Sequence, residues 1–483
     1  MITADIKDEG YDKKAPIWAH VRAAIDGKPG VMDLVKTDTF YGVTAPSYRV
    51  VDGNFNDVSE RKAKFFGRGR FFNATGSTHD KYLGLIGSAP VDYKLPAKIK
   101  GMEDDIDTDN TTINDLTLQI AGELLITARY GALSNPPMQA GQTQHLAGDN
   151  LPSIITYKAE QMIYARDDKG VKEVRLLESY WEKATDYEWE LKPQIRRLYL
   201  DENDSYTSEV WREGELFDIE QPIVKGSPLK YIPFQFYGSE NNNPKYDRPV
   251  MFDLAHQNLG HFELDCNDRD NLHFHGQGMT NCFTNMDRDG VEELNPTGVD
   301  VGAKGMNIWA QGDKVEILQP EATGAIGLKM QADVDYMIKL GAQVVQDSSS
   351  TQTLGAKKIE SNASMSQLKR ISINTSAGLT RNLRWCAEFA GANPDEVMVK
   401  VNTKFVTDDL TAQDVQAVFA GVQGGLLPDD LFLEAARKAG YTDKTDEEIK
   451  ELIDEQAQGE SEAVAELRLM VEQLTEQLNG SNE

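Results

Sequence analysis

The chain has 483 residues, of which 40% are hydrophobic and 27% charged, so it is too apolar for wholesale disorder and too long for one hydrophobic core. Lys and Arg number 50 against 78 Asp and Glu, a formal net charge of −28, which argues against tight binding of duplex DNA through clustered cations. The three cysteines, Cys266, Cys282 and Cys386, are too scattered for a disulfide framework, and neither a signal peptide nor a membrane span is expected. An acidic balance fits ordinary solubility, a basic protein partner, or a surface past which DNA slides, and charge alone does not choose among them.

The first predicted element is a short helix over residues 15–26, ending at Gly27. The one basic patch follows, with aromatic residues interleaved. This pattern could bind single-stranded nucleic acid by stacking and charge. The favoured interpretation is a partly buried helix whose Phe side chains face a core while the cationic stems reach solvent. The residues concerned are Lys62, Lys64, Phe65, Phe66, Arg68, Arg70, Phe71, Phe72 and Lys81.

Helix and sheet signals alternate up to residue 249. The acidic run 103–110 resembles half of a calcium loop, but the Gly and Glu that such a loop needs are missing, which favours a turn. A mostly buried helix is predicted over residues 113–130. Pro, Gly and Asn at close intervals over residues 222–249 mark a boundary. An antiparallel meander is predicted from three strand-like runs, residues 174–181, 194–200 and 208–212.

A long helix is predicted over residues 249–275. One stripe of it is apolar, and its other faces are polar and acidic, with Arg269 the only strong base there. The apolar stripe consists of Met251, Ala255, Leu259, Phe262 and Cys266. The carboxylates expected on the exposed side are Asp253, Glu263, Asp265, Asp268 and Asp270.

The next segment, residues 276–323, is rich in Gly and Asp and is predicted to be an inserted module of strands and turns. A second helix is predicted over residues 324–347, with apolar residues spaced by four and three, including Gly341. After a polar loop at 348–355, a long helix is predicted over 356–391, stopped by Gly391 and Pro394.

The C-terminal region is predicted to be entirely helical. Short helices are expected over residues 411–420, 428–439 and 446–458. The last residues of the chain, 464–478, carry an apolar stripe that could form a short coiled coil between subunits or pack within one subunit. Its members are Val464, Leu467, Val471, Leu474 and Leu478.

A search for catalytic chemistry finds little. No phosphate-binding loop, dinucleotide fingerprint, zinc-protease motif or nucleophile elbow occurs in the sequence. The nearest thing to an active site is a group of histidines among acids and cysteines, whose spacings are poor for a helix-borne metal site. Ordinary partly buried polar residues or subunit contacts are the favoured interpretation of His256, His261, His273 and His275.

Several motifs in a fixed order resemble one branch of the portal proteins, or head-to-tail connectors, of tailed bacteriophages. They cover most of the chain, and none is catalytic. Two stretches depart from the branch, LGAKK at 354–358 and TARYG at 127–131. The matching motifs are RFFNATGST at 70–78, LGLIGSAP at 83–90, LP at 95–96, YKAEQMI at 157–163, IPFQF at 232–236, FDLAHQN at 252–258, DNLHF at 270–274, MIKLG at 337–341 and VNTKF at 401–405.

The resemblance implies an α+β, portal-like fold. It would comprise a mixed α/β wing with the strand meander (residues 1–248), a first stem helix (249–275), a small α/β clip (276–323), a second stem helix (324–347), a tunnel loop (348–355), a long helix returning to the wing (356–404) and a helical crown (405–483). The tunnel-loop candidates are Ser348, Ser349, Ser350, Thr351, Gln352 and Thr353.

The resemblance also implies a structural role in the virion and no enzymatic activity, cofactor or metal. A ring, usually of twelve subunits, would form at one capsid vertex after assembly in the host cytoplasm and conduct double-stranded DNA during packaging and ejection. Expected partners are the terminase large subunit, major capsid and scaffold proteins, and a head-tail adaptor or tail protein, with no membrane. The five acids of the first stem helix would line the channel. Another virion ring or scaffold protein, or a metal-dependent hydrolase that uses the segment 256–282, are the alternatives.

Overall fold

The computed structural model describes residues 6–36, 64–137, 151–275, 280–294, 306–310, 312–314, 324–341 and 354–405. The chain divides into two compact units, Met1–Thr403 and Lys404–Glu483, and nearly all described residues belong to the first. Helices and strands are mixed through this part of the chain, in agreement with the predicted α+β class. The tunnel-loop candidates 348–353, the C-terminal apolar stripe and almost all of the predicted crown lie outside the described residues.

Helices and strands have the following bounds. The helices are α1 (Glu9–Asp26), α2 (Lys28–Lys36), α3 (Ala74–Ile86), α4 (Ile113–Thr127), α5 (Phe252–His275), α6 (Arg288–Leu294), α7 (Ala325–Lys339) and α8 (Leu354–Phe389). The strands are β1 (Asp92–Lys94), β2 (Arg129–Asn135), β3 (Ser153–Lys158), β4 (Met162–Asp167), β5 (Val171–Lys183), β6 (Trp189–Leu200), β7 (Tyr206–Arg212), β8 (Glu215–Glu220), β9 (Ile223–Val224), β10 (Ser227–Pro228), β11 (Phe234–Gly238), β12 (Thr280–Phe283), β13 (Met306–Trp309) and β14 (Met398–Lys400).

The N-terminal helix α1 begins earlier than the sequence analysis predicts. The Asp8 carboxylate accepts a hydrogen bond from the backbone N–H of Gly10 at 2.9 Å and so caps the first turn. The helix ends at Gly27 as predicted, because a φ of 76° is readily adopted only by glycine. Arg22 fastens α1 to its surroundings by ion pairs with Glu123 on α4 at 2.6 Å and Glu160 at 2.5 Å.

Helix α4 is capped by Thr112, whose hydroxyl accepts a hydrogen bond from the backbone N–H of Asp115 at 3.1 Å. Its end differs from the predicted residue 130. Ala128 adopts the left-handed conformation, with a φ of 58°, and Arg129 already begins strand β2. Residues 128–130 are compatible with a helix in composition, but the turn at Ala128 leads into strand β2 and ends the helix.

Two antiparallel sheets form the centre of the described structure. One has the strand order β11–β2–β3, and the other runs β4–β5–β6–β7–β8 as a meander. The three predicted strand-like runs lie within β5, β6 and β7, so the meander prediction is confirmed. A buried apolar cluster that includes Tyr157, Val174, Leu176, Leu198 and Phe234 joins the two sheets.

Helix α8 packs on the three-stranded sheet through a buried polar residue. The Tyr237 hydroxyl donates to the Asn382 side-chain oxygen at 2.7 Å, and the Asn382 amide nitrogen donates to the Ser134 hydroxyl at 2.8 Å. Because buried polar groups are costly unless paired, this contact fixes the rotation of α8 against the sheet. Gly391, with a φ of 67°, follows the end of α8 as predicted.

The insertion between α5 and α7 is described in part. Its strands β12 and β13 pair in parallel, and α6 lies between them in sequence. The Trp309 indole N–H donates to the Asn281 side-chain oxygen at 2.9 Å across this pair. Helix α7 ends at Lys339, and Gly341 adopts a φ of 92°. The prediction that this helix continues through Gly341 to residue 347 is therefore wrong, because the helix ends before Gly341. A glycine placed by the sequence pattern in an apolar seam instead ends the helix.

Candidate functional site: the long helix α5

The apolar stripe predicted for α5 is buried. Met251, Ala255, Leu259 and Phe262 are at most 5% exposed, and Cys266 is fully covered. The stripe packs against α1, α3 and α7. Phe262 also meets Phe66 and Phe71, with ring centroids 6.3 Å and 5.6 Å apart. The helix is therefore positioned by contacts from several parts of the same chain.

The basic and aromatic segment lies along α5. Residues 64–68 form a helical turn, and Phe65 and Phe66 are buried, so the interpretation of a partly buried helix is confirmed for this part. It is wrong for residues 69–73, which are not helical and where Phe72 is exposed. We call residues 68–76 the strap. Any side chain at Gly69 would collide with Cys266 and Phe262, so the strap approaches the helix at a point where only glycine fits.

Asp265 is buried, so the prediction that it lies on the exposed side of the helix is wrong. One carboxylate oxygen of Asp265 accepts hydrogen bonds from the backbone N–H of Arg70 at 2.6 Å and from the Arg269 guanidinium at 2.7 Å. The acid therefore satisfies the backbone of the strap, and it neutralises the one Lys or Arg that α5 contains.

Asp270 is buried as well, and its predicted exposure is wrong for the same reason. Its carboxylate forms an ion pair with Arg68 at the start of the strap. A buried carboxylate of this kind requires a partner, because an unpaired charge away from water is strongly unfavourable. The partner comes from about two hundred residues earlier in the chain, and helical periodicity carries no information about it.

Asn258 completes the attachment of the strap. Its side-chain oxygen accepts hydrogen bonds from the backbone N–H and the hydroxyl of Thr75, at 3.1 Å and 2.9 Å, and its amide nitrogen donates to the Phe72 carbonyl at 2.7 Å. Asn258 is fully buried. The sequence analysis missed this residue, although an asparagine on the buried side of an apolar stripe is a signal that it has a specific partner.

The remaining predicted acids, Asp253, Glu263 and Asp268, keep contact with solvent. Successive helical residues are rotated by about 100°, so the five acids of α5 are spread around the helix and do not share one face. Asp253 is exposed and pairs with Arg248. Burial raises the pKa of the half-buried Glu263 carboxyl.

The exposed surface of α5, which we call its solvent-facing stripe, is mostly polar and only weakly charged, although Leu272 is also 62% exposed. Beside the three acids it carries mainly neutral groups, with His256, Gly260 and Asn271 exposed and Asn267 partly exposed. The single strong cation of the helix, Arg269, is engaged by Asp265. This stripe therefore offers a phosphate backbone no free Lys or Arg, and so no site for adhesion through counterion release.

Helix α7 meets α5 near the buried His261. Burial lowers the pKa of the His261 imidazole, while Asp333 of α7 and Asp265 of α5 oppose this shift. Asp333 is almost fully buried and pairs with Lys329 at 2.6 Å. The joint between the two helices thus contains a buried histidine beside two carboxylates.

His256 and His261, both on α5, lie on different sides of the helix. His256 is exposed and stacks on Phe252, whereas His261 lies on the buried side. Burial raises the pKa of the Cys266 thiol to about 12, so this thiol is a poor metal ligand and nucleophile at neutral pH. Among the described residues, no group of three or more His, Cys, Asp or Glu side chains is arranged to hold a metal ion.

None of the helices in the described part of the chain has both the length and the apolar character that a membrane span requires.

Residues 250–390, from the start of α5 to the end of α8, match the family described as "Domain of unknown function (DUF4055)". The matched segment contains the candidate site, and the description of the family assigns no function. No curated protein matches the chain.

Two solved structures are similar over most of the chain. One chain comes from "Virion of native gene transfer agent (GTA) particle", with a TM-score of 0.35, 12% identity, and coverage of 82% of this chain and 95% of that chain. The other comes from "Neck of empty GTA particle computed with C6 symmetry", with a TM-score of 0.36, 12% identity, and coverage of 79% and 96%. At these values neither similarity establishes a shared role.

Proposed function

We propose that the chain is the portal subunit of a tailed-phage capsid, a structural protein with no catalytic activity. It assembles into a ring at one capsid vertex, through which DNA is packaged and later ejected. The ring binds the terminase large subunit during packaging, and capsid, scaffold and head-tail adaptor or tail proteins in the virion. The observation that carries the proposal is the order of elements along the chain.

That order is a wing-like pair of sheets, the helix α5, a small insertion with both strands and a helix, the helix α7, and the 36-residue helix α8. This is the order that the sequence resemblance implies for wing, first stem helix, clip, second stem helix and returning long helix. The resemblance rests on sequence motifs and the element bounds on the backbone, and both give the same order along the chain.

The surface chemistry of α5 supports the same proposal. A channel through which duplex DNA slides must not bind phosphates tightly, because each phosphate contact to a free cation would add a counterion-release contribution to the affinity. The solvent-facing stripe of α5 has neutral groups and Asp253, Glu263 and Asp268, and its one strong cation is paired internally. In the proposed ring, this stripe faces the channel.

The test is negative-stain electron microscopy of the purified full chain, with the mass determined by light scattering. Closed rings with a central hole wide enough for duplex DNA, about 20 Å, are the expected result. Addition of the purified terminase large subunit should give a complex with intact rings. A compact monomer under all assembly conditions would refute the proposal. Rings that do not bind the terminase large subunit would favour another virion ring or scaffold protein.

A further inference from the structure

The five-stranded sheet changes its apolar face partway along its strands. We call the end of the sheet that contains residues 171–176 of β5 the near half, and the end that contains residues 177–183 of β5 the far half. In the near half, Val174, Leu176 and Leu198 point into the core between the two sheets. The opposite face of the near half is polar, with Arg197 bridging Glu173 and Glu209. An antiparallel sheet with one covered and one polar face is the expected arrangement.

In the far half the arrangement is reversed. The face that continues from the core now carries polar groups, and Glu178 pairs there with Arg196 at 2.8 Å. The other face becomes apolar. Leu177, Ile195, Trp211 and Leu216 stand in one row across four strands, as their register shows.

This apolar face continues outward and is open to solvent. Trp181 stands opposite Leu191, and Trp189 stands opposite Lys183 on the same face. Trp181 is 64% exposed and Trp189 is 61% exposed. We call the exposed set the indole patch; it consists of Leu177, Trp181, Trp189, Leu191, Leu216 and Ile219.

The indole patch continues an interface that already exists within the chain. Ile195, in the same row as Leu177, packs against a buried cluster formed by Tyr11, Trp18, Ala159 and Ile163. Beside the indole patch, β8 is the edge strand of the sheet, and every residue of β8 is exposed. Exposed edge strands invite pairing with another chain, although β8 also carries the acids Glu215, Asp218 and Glu220, which disfavour unspecific pairing.

We propose that the indole patch docks a second copy of this chain and forms part of the contact between neighbouring subunits. This inference rests on the proposed function, because a closed ring requires each copy to present two different surfaces to its two neighbours. In such a ring the patch of one copy contacts a different surface of the next copy. The patch therefore does not have to be complementary to itself.

The size and composition of the patch favour a permanent contact. A tryptophan side chain presents about 150–250 Å², so two indoles exposed to this extent offer roughly 200–300 Å² together. A standard interface buries about 800 Å² per partner around such aromatic anchors. A surface of this kind promotes aggregation in a free chain, which favours a partner that is present whenever the chain is. A second copy meets this condition because its concentration always equals that of the chain.

The test compares the wild-type chain with the double variant Trp181→Lys/Trp189→Lys, and with Ile373→Lys on α8 as a matched control at another exposed apolar residue. Assembly is followed by light scattering against protein concentration. We expect the double variant to raise the concentration of half-assembly by about 30-fold or more, the change that corresponds to ~2 kcal/mol at ~1.4 kcal/mol per tenfold. The control should assemble like the wild type.

Oxidative footprinting of the wild type gives a second measurement that does not depend on the folding of any variant. Trp181 and Trp189 should be modified in the dilute monomer and protected in the assembled form. Equal modification in both states, or unchanged assembly of the double variant, would overturn the inference and leave the proposed ring intact. Protection that arises only when a purified capsid protein or terminase is added would also overturn it.

The inference and the proposed function can fail separately. If the wild type forms closed two-subunit dimers that the double variant loses, the patch does dock a second copy and the ring proposal is wrong. If rings form in both proteins, the ring proposal holds and the patch has another occupant, which overturns the inference.

Discussion

The two helices that flank the insertion, α5 and α7, differ in how much of their surface the chain covers. Helix α5 is packed by α1, α3, α7 and the strap, and its apolar stripe is buried. Helix α7 buries only Asp333 and Met337 and exposes Leu328 and Tyr336. Helix α5 is therefore positioned from within the chain, whereas α7 retains apolar side chains for contacts that the described residues do not supply.

The largest expected difference between the two helices concerns apolar packing. Phe262→Ala should lower the free energy of unfolding by about 3–5 kcal/mol, because it removes a fully buried ring that contacts Phe66 and Phe71. Leu328→Ala on α7, at a side chain that is 74% exposed, should change the value by less than about 0.5 kcal/mol. Urea denaturation measures both. Equal losses would contradict the contrast between the helices.

The next effect concerns the strap. Asp270→Asn leaves the Arg68 guanidinium without its charge partner and should lower the free energy of unfolding by about 1–3 kcal/mol. Asp268→Asn, two residues away at a more exposed site, is the matched control and should stay within about 0.5 kcal/mol of the wild type. If the two variants lose the same amount, the ion pair with Arg68 does not hold the strap.

A smaller effect should appear at the joint between α5 and α7. The folded-state pKa of His261 is lowered by burial, so the unfolded chain binds the proton more readily. Stability is then fully present above the unfolded histidine pKa of about 6.5 and falls as the pH drops below it. Asp265 and Asp333 oppose the shift, so we expect a loss of about 1 kcal/mol or less between about pH 7 and pH 5.

The matched variant for this prediction is His261→Gln, which keeps a polar side chain without a titrating imidazole. Denaturation at both pH values should show a shallower loss of stability in the variant than in the wild type. An unchanged slope would mean that other groups cause the acid sensitivity and that His261 does not titrate differently in the two states.

The smallest effect on stability, within about 0.5 kcal/mol for each change, is expected for neutralising the solvent-facing acids by Asp253→Asn, Glu263→Gln and Asp268→Asn. In the proposed ring the triple variant should assemble normally and retain duplex DNA longer at low salt, because repulsion of phosphates is reduced, and the difference from the wild type should shrink as added salt screens that repulsion. Asn267→Asp adds a charge near the same stripe and should shorten retention. DNA release from isolated rings measures both, and identical release rates would contradict a channel role for these carboxylates.

Local patterns predict the described elements well where one chemical signal decides the outcome. The apolar stripe of α5, the strands β5 to β7 and the stop at Gly391 follow from periodicity and from glycine chemistry. The end of α7 was misjudged because spacing alone placed Gly341 in a seam, although its backbone freedom made it a terminator.

The acids of α5 show where local patterns fail. Asp265 and Asp270 look like exposed helix residues in sequence, and they are buried because the strap brings Arg70 and Arg68 over them. The change of apolar face in the five-stranded sheet was also missed. It becomes visible only once the register fixes which residues of neighbouring strands share a face.

The strap also sets an order of events during synthesis. Its contacts join residues far apart in the chain, with a separation of 183 between Thr75 and Asn258 and of 202 between Arg68 and Asp270. At about 5–20 residues per second, a ribosome needs roughly 10–40 s to make the intervening chain. The basic and aromatic segment therefore leaves the ribosome long before its acidic counterpart, and in that interval its phenylalanines depend on other cover, such as a chaperone.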